Sequence, residues 1–416
     1  MTYSRRTFLT TSAALLGLPA AGASMQPGRR DSNRPRDDGI RVRSGSHRAG
    51  YDPWLEIDPA AFEHNAEEVS RLCGGRPILG VVKNNAYGLG LTTVGPLLDR
   101  LDTICGLAVV KADQAIALRD AGVRKPILLM GLFREADGPD LVVRGIQLAP
   151  FSDGADERLA RLGQQLGRRI DVHLYLDTGM SRLGMPHRRA LPWIQSLANT
   201  KEVRIAGTFM TFTEEDDFDP EQLEHFLAVA QAARDRGINL GRLHAASSHG
   251  VFHRQNALLD MVRPGLVLYG AYPEGARQLQ AATLRPAFRL RARVVRVERI
   301  ARGDGVSYGR NYIAKKPTWI ATLPVGHADG YPRRAVDGCM VHIRDRVYPV
   351  IGAVSASHTI VEVGEDRTVE VGDEATLVGW DHPAVHPNAV AERAEISVYD
   401  VLMHLSGGLP KRVIGA

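Results

Sequence analysis

Short apolar runs alternate with amphipathic stretches from Trp54 to Leu284, and this alternation constrains the fold more than any other feature of the chain. Runs at 78–82, 106–110, 126–130, 171–176, 205–210, 242–245 and 266–269 read as buried strands. The stretches at 112–121, 157–166, 190–199 and 220–236 read as helices between them. Alternating units of this number and length predict an α/β fold, with an eight-stranded TIM-type barrel over residues 51–285. At Phe288 the period becomes two: Phe288, Leu290, Ala292 and Val294 alternate with Arg289, Arg291 and Arg293. Further short strands are expected at 319–324, 340–343, 348–354, 359–363 and 375–380, so residues 286–416 read as a mainly β domain. Residues 388–404 read as one helix.

Charge is unevenly placed. Residues 1–50 hold nine Arg and three Asp, a balance of +6, whereas the rest of the chain balances to −1. The basic character is a property of the leading segment, and a near-neutral body argues against nucleic-acid binding. Within that segment, Ser4-Arg5-Arg6-Thr7-Phe8-Leu9 resembles a twin-arginine export motif. An apolar stretch too short to span a bilayer follows, then Ala21-Gly22-Ala23 as a cleavage site. Residues 1–23 are therefore expected to be a signal peptide, and 24–50, rich in Arg, Asp, Ser and Gly, a disordered linker. Export would place the mature protein in the periplasm, with no membrane association after cleavage. Cys73, Cys105 and Cys339 are far apart and predict no disulfide framework. Cys339 and His342 form a lone C-x-x-H, a weak metal signal that reads better as a strand residue and its neighbour; no metal site is expected.

The chemistry concentrates at Lys83, which ends an apolar run and precedes the turn-prone Asn84-Asn85-Ala86-Tyr87-Gly88. A lysine at the mouth of a buried strand is costly unless its amine is used or paired. Desolvation lowers its pKa and suits it to form a Schiff base. Taken alone, it reads better as a lysine that only snorkels to the barrel rim.

Four further segments stand in order with it: Asp177-Thr178-Gly179-Met180-Ser181-Arg182-Leu183-Gly184, Val262-Arg263-Pro264-Gly265-Leu266-Val267-Leu268-Tyr269-Gly270, Val306-Ser307-Tyr308-Gly309, and Gly326-His327-Ala328-Asp329-Gly330-Tyr331-Pro332-Arg333. With Val82-Lys83-Asn84-Asn85-Ala86-Tyr87-Gly88, these five motifs resemble the alanine racemase family over roughly residues 52–416. The resemblance implies an α/β barrel followed by a β domain, a small-molecule amino-acid substrate, and pyridoxal 5'-phosphate held by Lys83 as a Schiff base. The cofactor would delocalise the carbanion left when Cα loses its proton. Inversion needs a second acid/base on the opposite face, and Tyr308 matches that group. In this family it comes from the partner subunit, so a homodimer with a shared active site is implied. Arg263 matches the arginine beside the pyridine nitrogen, which a guanidinium leaves unprotonated. His244 matches the histidine that orients this arginine. Phosphate would be held by backbone N–H groups around Gly265 and Leu266 and by Ser248, with Ser247 and Tyr87 beside it. Arg182 matches the arginine that pairs with the cofactor's phenolic oxygen.

The chain departs from the family pattern in several places. Thr211 replaces a histidine that lies against the cofactor ring, and Ser247 an asparagine. Tyr175 replaces a lysine that is often carbamylated. Ser355-Ala356-Ser357 stands for Cys-Met-Asp of the substrate pocket, His327 for a tyrosine of the entry corridor, and Gly407 for a tyrosine that touches phosphate and pocket. Large or polar becomes small, which predicts a wider pocket, side chains beyond methyl, and weaker cofactor retention. Two other readings stay open: a related barrel enzyme such as a D-amino-acid aldolase or dehydratase, and a non-catalytic pyridoxal-phosphate-binding protein.

Overall fold

The computed structural model describes residues 53–415, so the expected signal peptide at 1–23 and linker at 24–50 lie outside the described residues. The chain forms β1 (Trp54–Ile57), β2 (Ile78–Val81), β3 (Ile104–Val109), β4 (Ile127–Leu129), β5 (Ile146–Leu148), β6 (Ile170–Asp177), β7 (Met185–Pro186), β8 (Val203–Phe209) and β9 (Arg242–His244). Strands β2, β3, β4, β5, β6, β8 and β9 pair in that order, all parallel, while the two-residue β7 pairs with the end of β6. The strands are buried along nearly their whole length, as a parallel sheet covered on both faces requires. The sheet curls. Ile78, on one edge, bridges Val262 in parallel, and the Leu79 and Val81 N–H groups donate to the Val262 and Pro264 carbonyls. On the other side the Arg263 N–H donates to Ala246, just past β9.

Helices connect the strands on the outside. The one at Ala155–Leu166 shows how sequence sets its limits: Asp156 and Glu157 sit in its first turn, where the positive end of the backbone dipole favours them. Gly167 ends it at φ +60. Leu159 is buried on its inner face.

The second part comprises β10 (Phe288–Arg293), β11 (Arg296–Ile300), β12 (Gly305–Val306), β13 (Tyr312–Ile313), β14 (Thr318–Leu323), β15 (Met340–Ile343), β16 (Arg346–Ile351), β17 (Thr359–Gly364), β18 (Glu374–Val378) and β19 (Lys411–Val413). Nine strands form one sheet in the order β11-β14-β17-β16-β15-β18-β10-β1-β19. The period-two reading of β10 holds: Phe288, Leu290 and Ala292 are buried and the intervening arginines only partly so.

Four expectations need correction. Strand β1 was expected with the barrel but lies between β10 and β19, so the parallel-sheet part does not begin at residue 51. Its registration is chemical as well as geometric: Arg291, Arg293 and Arg412 stack on the Trp54 ring, and Arg289 pairs with Glu56. The apolar run at 266–269 is not a strand but a 3-10 turn, Leu266–Tyr269, between Gly265 and Gly270. It is buried because it packs under the Pro59–Leu72 helix, where Asn65 Nδ2 donates to the Leu268 carbonyl at 3.1 Å. Strand β5 was not foreseen. The single helix expected at 388–404 is two, Pro387–Ala394 and Val398–Met403, broken at Glu395, whose φ is +49.

Candidate active site

A cavity of about 550 Å³ opens at the C-terminal ends of the parallel strands. Lys83, Tyr87, Arg182, Ser247, Ser248, Arg263 and Gly265 all line it, so most of the residues singled out from the sequence meet there. Lys83 follows directly on β2 and its neighbour Val82. The chain then makes an unusual bend, with Asn84, Asn85, Ala86 and Tyr87 all at φ between +52 and +57. Such a run is costly for L-residues, and only asparagine tolerates it readily. The bend swings Tyr87 back beneath the cavity, where its ring stacks on Tyr269 at 4.5 Å. Burial first, and then the nearby Arg182, hold the Lys83 amine below the ordinary lysine range, against the opposing pull of Glu214.

Arg263 is buried and held by three hydrogen bonds. Its Nη1 donates to His244 Nδ1 at 2.9 Å and to the His244 carbonyl at 2.8 Å, and its Nη2 donates to the Met210 carbonyl at 2.7 Å. A guanidinium has only donors, so His244 Nδ1 accepts and the His244 proton sits on Nε2. That N–H donates in turn to His173 Nδ1 at 2.8 Å. Burial, followed by the Arg263 charge, pushes His244 well below the usual imidazole range and His173 down to about 4. Both rings are neutral at pH 7. Burial also lowers Arg263, to about 10, which leaves it protonated. The face of Phe209 lies 4.9 Å from its guanidinium carbon.

An anion cup sits opposite. Ser248 Oγ accepts from the Gly265 N–H at 3.0 Å and the Val267 N–H at 3.4 Å, and Leu266 is buried behind it. Gly265 is required by close approach: a Cβ there would stand 2.1 Å from the Tyr87 hydroxyl. An amine of depressed pKa, a fixed guanidinium, a serine hydroxyl and glycine-turn amides form a donor set that fits a phosphorylated aldehyde cofactor such as pyridoxal phosphate.

The structure keeps other predicted residues apart from this cavity. Tyr308 follows β12, is 77% exposed, and lines a separate depression of about 530 Å³ with Asn311, His327, Arg333, Ser355 and Ala356. It too rides on a left-handed bend: Ser307 has φ +62, and its Oγ donates to the Ala353 carbonyl at 2.9 Å. Ala356 and Ser357 are exposed on the same face. Gly407 stands at the rim near Asn85, whose Nδ2 would be 4.0 Å from an added Cβ.

Several lining residues escaped sequence reasoning. Tyr399 and Met403 reach the cavity from the Val398–Met403 helix, where Asn84 Nδ2 contacts the Met403 sulfur at 3.3 Å. Two departures prove to be partners: the Tyr175 hydroxyl hydrogen-bonds Thr211 Oγ1 at 3.1 Å, and the Tyr175 ring stacks on Phe209 at 4.3 Å. Glu214 also lines the cavity and accepts from Ser247 Oγ at 3.4 Å.

The chain is similar to known proteins along most of its length. Residues 57–273 match the family model for the alanine racemase N-terminal domain, and 287–413 that for the C-terminal domain. The chain is 33% identical over 371 residues to an alanine racemase of Geobacter sp. (strain M21), covering 86% of this chain and 97% of the relative. It is 30% identical over 364 residues to alanine racemase 2 of Caldanaerobacter subterraneus subsp. tengcongensis, covering 86% and 93%. Among solved structures, that of alanine racemase from D-cycloserine-producing Streptomyces lavendulae superposes with a TM-score of 0.81 at 25% identity, covering 88% of this chain and 98% of that one. The biosynthetic alanine racemase of Pseudomonas aeruginosa gives 0.78 at 28% identity, covering 88% and 99%.

Proposed function

This chain belongs to the alanine racemase family, and on that footing we propose that it interconverts L- and D-alanine, and amino acids with larger side chains, using pyridoxal 5'-phosphate. The observation that carries the reading is the Lys83 cavity, where an amine of lowered pKa meets the fixed Arg263–His244 pair and the Ser248–Gly265 anion cup. Lys83 would bind the cofactor aldehyde, Arg263 would face its ring nitrogen, and Ser248 with the Gly265 and Leu266 amides would take the phosphate. Ser247, Tyr87 and Arg182 complete the holding set. Once bound, the cofactor supplies an electron sink for the charge left at Cα.

The chain's own residues then set the stereochemistry. The Lys83 amine would take or return the Cα proton on one face. Tyr308 serves the other face. Since it lies outside the Lys83 cavity in a single chain, we assign it to the cavity of a second copy, which makes the homodimer the functional unit. The small residues Ala356 and Ser357 would come with it and leave room for a substrate side chain. Arg263 stays charged because His244 accepts from it and is itself neutral. A ring nitrogen held beside it would gain no proton, which would weaken the sink and favour simple reprotonation over side reactions.

We further read the parallel sheet as an eight-position barrel in which the 260–264 segment, bonded to β2, fills the last place. The segment at 1–23 supports export by the twin-arginine route, with the enzyme acting in the periplasm. The test is incubation of the mature, cofactor-loaded protein with L-alanine in deuterated water. D-alanine carrying deuterium at Cα is the expected product, and Lys83→Ala removes it by on the order of 10³-fold or more. Cα exchange without inversion, or inversion that survives Lys83→Ala, would refute the reading.

A further inference from the structure

One side chain lining the Lys83 cavity has no part in the proton transfers. Glu214 begins the run Glu214-Glu215-Asp216-Asp217, and it is the only one of the four that lines the cavity. Its backbone is held at φ +64, a conformation unfavourable for any residue with a Cβ. The Glu214 N–H donates to Oδ1 of the fully buried Asp219 at 3.1 Å, and the Glu215 N–H to the same oxygen at 3.3 Å. Asp219 is ion-paired in turn with Arg254 at 3.1 Å. The preceding Thr213 N–H is tied to Gln222 Oε1 at 2.8 Å. A strained turn so heavily fixed aims its side chain at small entropic cost, and such strain concentrates at functional positions.

The carboxylate placed there has a neutral partner, Ser247, and no salt bridge among the described residues. It is exposed because the cavity is open at its mouth, yet the surrounding protein raises its pKa. Desolvation is the main cause and Asp219 behind it adds to the effect. The opposing cations are Lys83 and His253. Lys83 is committed to the cofactor and the Cα proton, so it is no standing counter-ion. The cavity thus presents a carboxylate hydrogen-bonded to a neutral serine, with Lys83 and His253 acting on it only through longer-range attraction. The short side chains of Thr211 and Ser247 line the cavity with it.

We infer that Glu214 is a specificity-determining residue that receives the side-chain cation of a basic amino acid, so that lysine and arginine are inverted in preference to neutral amino acids of the same length. The inference rests on the racemase reading. A charge-assisted hydrogen bond made in such a partly desolvated cavity discriminates strongly against a substrate that cannot supply it.

The test compares L-lysine with L-norleucine, which has the same chain without the ammonium, on the cofactor-loaded enzyme. Wild type is expected to favour lysine in kcat/KM by about tenfold or more, and Glu214→Gln to bring the ratio near one. Glu214→Ser, which removes the carboxylate by a different route, should do the same. A wild-type ratio near one, or a lysine preference that survives both substitutions, overturns the assignment. Inversion of alanine alongside a ratio of one defeats only this inference, whereas failure to invert any amino acid defeats the racemase reading with it.

Discussion

Replacing Gly265 by alanine tests the anion cup most sharply. Gly265 has φ −125 and ψ −79, so no left-handed strain enters and the main effect of the substitution is steric. The new Cβ would meet the Tyr87 hydroxyl at 2.1 Å, Cζ at 2.9 Å and Cε2 at 3.3 Å. The hydroxyl contact is about 1.3 Å short of ordinary van der Waals distance, so Tyr87 must move. It is 3% exposed and stacked on Tyr269, which packs edge-on against Phe62 at 5.4 Å, so there is nowhere near at hand for the ring to go. Overpacking of this kind costs about 1–3 kcal/mol. Urea unfolding of the cofactor-free protein should therefore show Gly265→Ala destabilised by about that amount. Titration with pyridoxal phosphate should show weakened binding as well, because the displaced ring lies in the cup. Tyr87→Phe removes the atom in the worst contact. In the double variant it should restore a large part of the lost stability, giving a coupling energy well above measurement error. A Gly265→Ala protein within about 0.5 kcal/mol of wild type, or a clash that Tyr87→Phe does not relieve, would refute this account of the cup.

Two further outcomes follow from the same geometry. Lys83→Ala and Tyr308→Phe, each inactive or nearly so alone, should regain activity when mixed and allowed to exchange subunits, because one of the two shared sites in a mixed dimer carries both bases; absence of recovery in a verified mixed dimer removes the shared site. His173 has a folded-state pKa depressed by burial to about 4, against an ordinary value near 6.5. The unfolded chain thus binds a proton more readily between these values, and stability present above pH 6.5 is lost as pH falls toward 4, by about 3 kcal/mol from this residue. The difference in urea midpoint between wild type and His173→Gln should therefore depend on pH across that window, with wild type falling more steeply; parallel curves would refute it.

Much of this site was legible because its chemistry is carried by strand ends, and strand ends are marked by where apolar runs stop. Lys83, Arg182 and His244 each fall at or shortly after such a stop. The limits of legibility are equally specific. Trp54–Ile57 is four buried residues, and nothing local in them says which of two sheets they join; the arginine stack that fixes the choice lies more than 200 positions away. Leu266–Tyr269 is a fully buried apolar run of strand-like composition, and only its place beneath the Pro59–Leu72 helix makes it a turn. The 388–404 stretch keeps helical periodicity across Glu395, where the backbone crosses to positive φ. Glu214 was invisible for a different reason. Acidic runs usually face water, and it is the hold of the buried Asp219 on the turn that sets one member against the cavity. Tyr175 and Thr211 looked like two independent departures, whereas they satisfy each other's hydroxyls.

The placement of β1 between β10 and β19 also bears on how the chain acquires its shape. A ribosome produces Trp54–Ile57 well over 200 residues before the antiparallel neighbour at Phe288–Arg293, and later still before the parallel neighbour at Lys411–Val413. The earliest strand must wait, unpaired, until Phe288–Arg293 has emerged, and its second edge stays open until Lys411–Val413 follows. Vectorial folding from front to back is therefore ruled out for this sheet, and loss of the final dozen residues would be felt at Leu55 and Ile57 as much as at the tail itself.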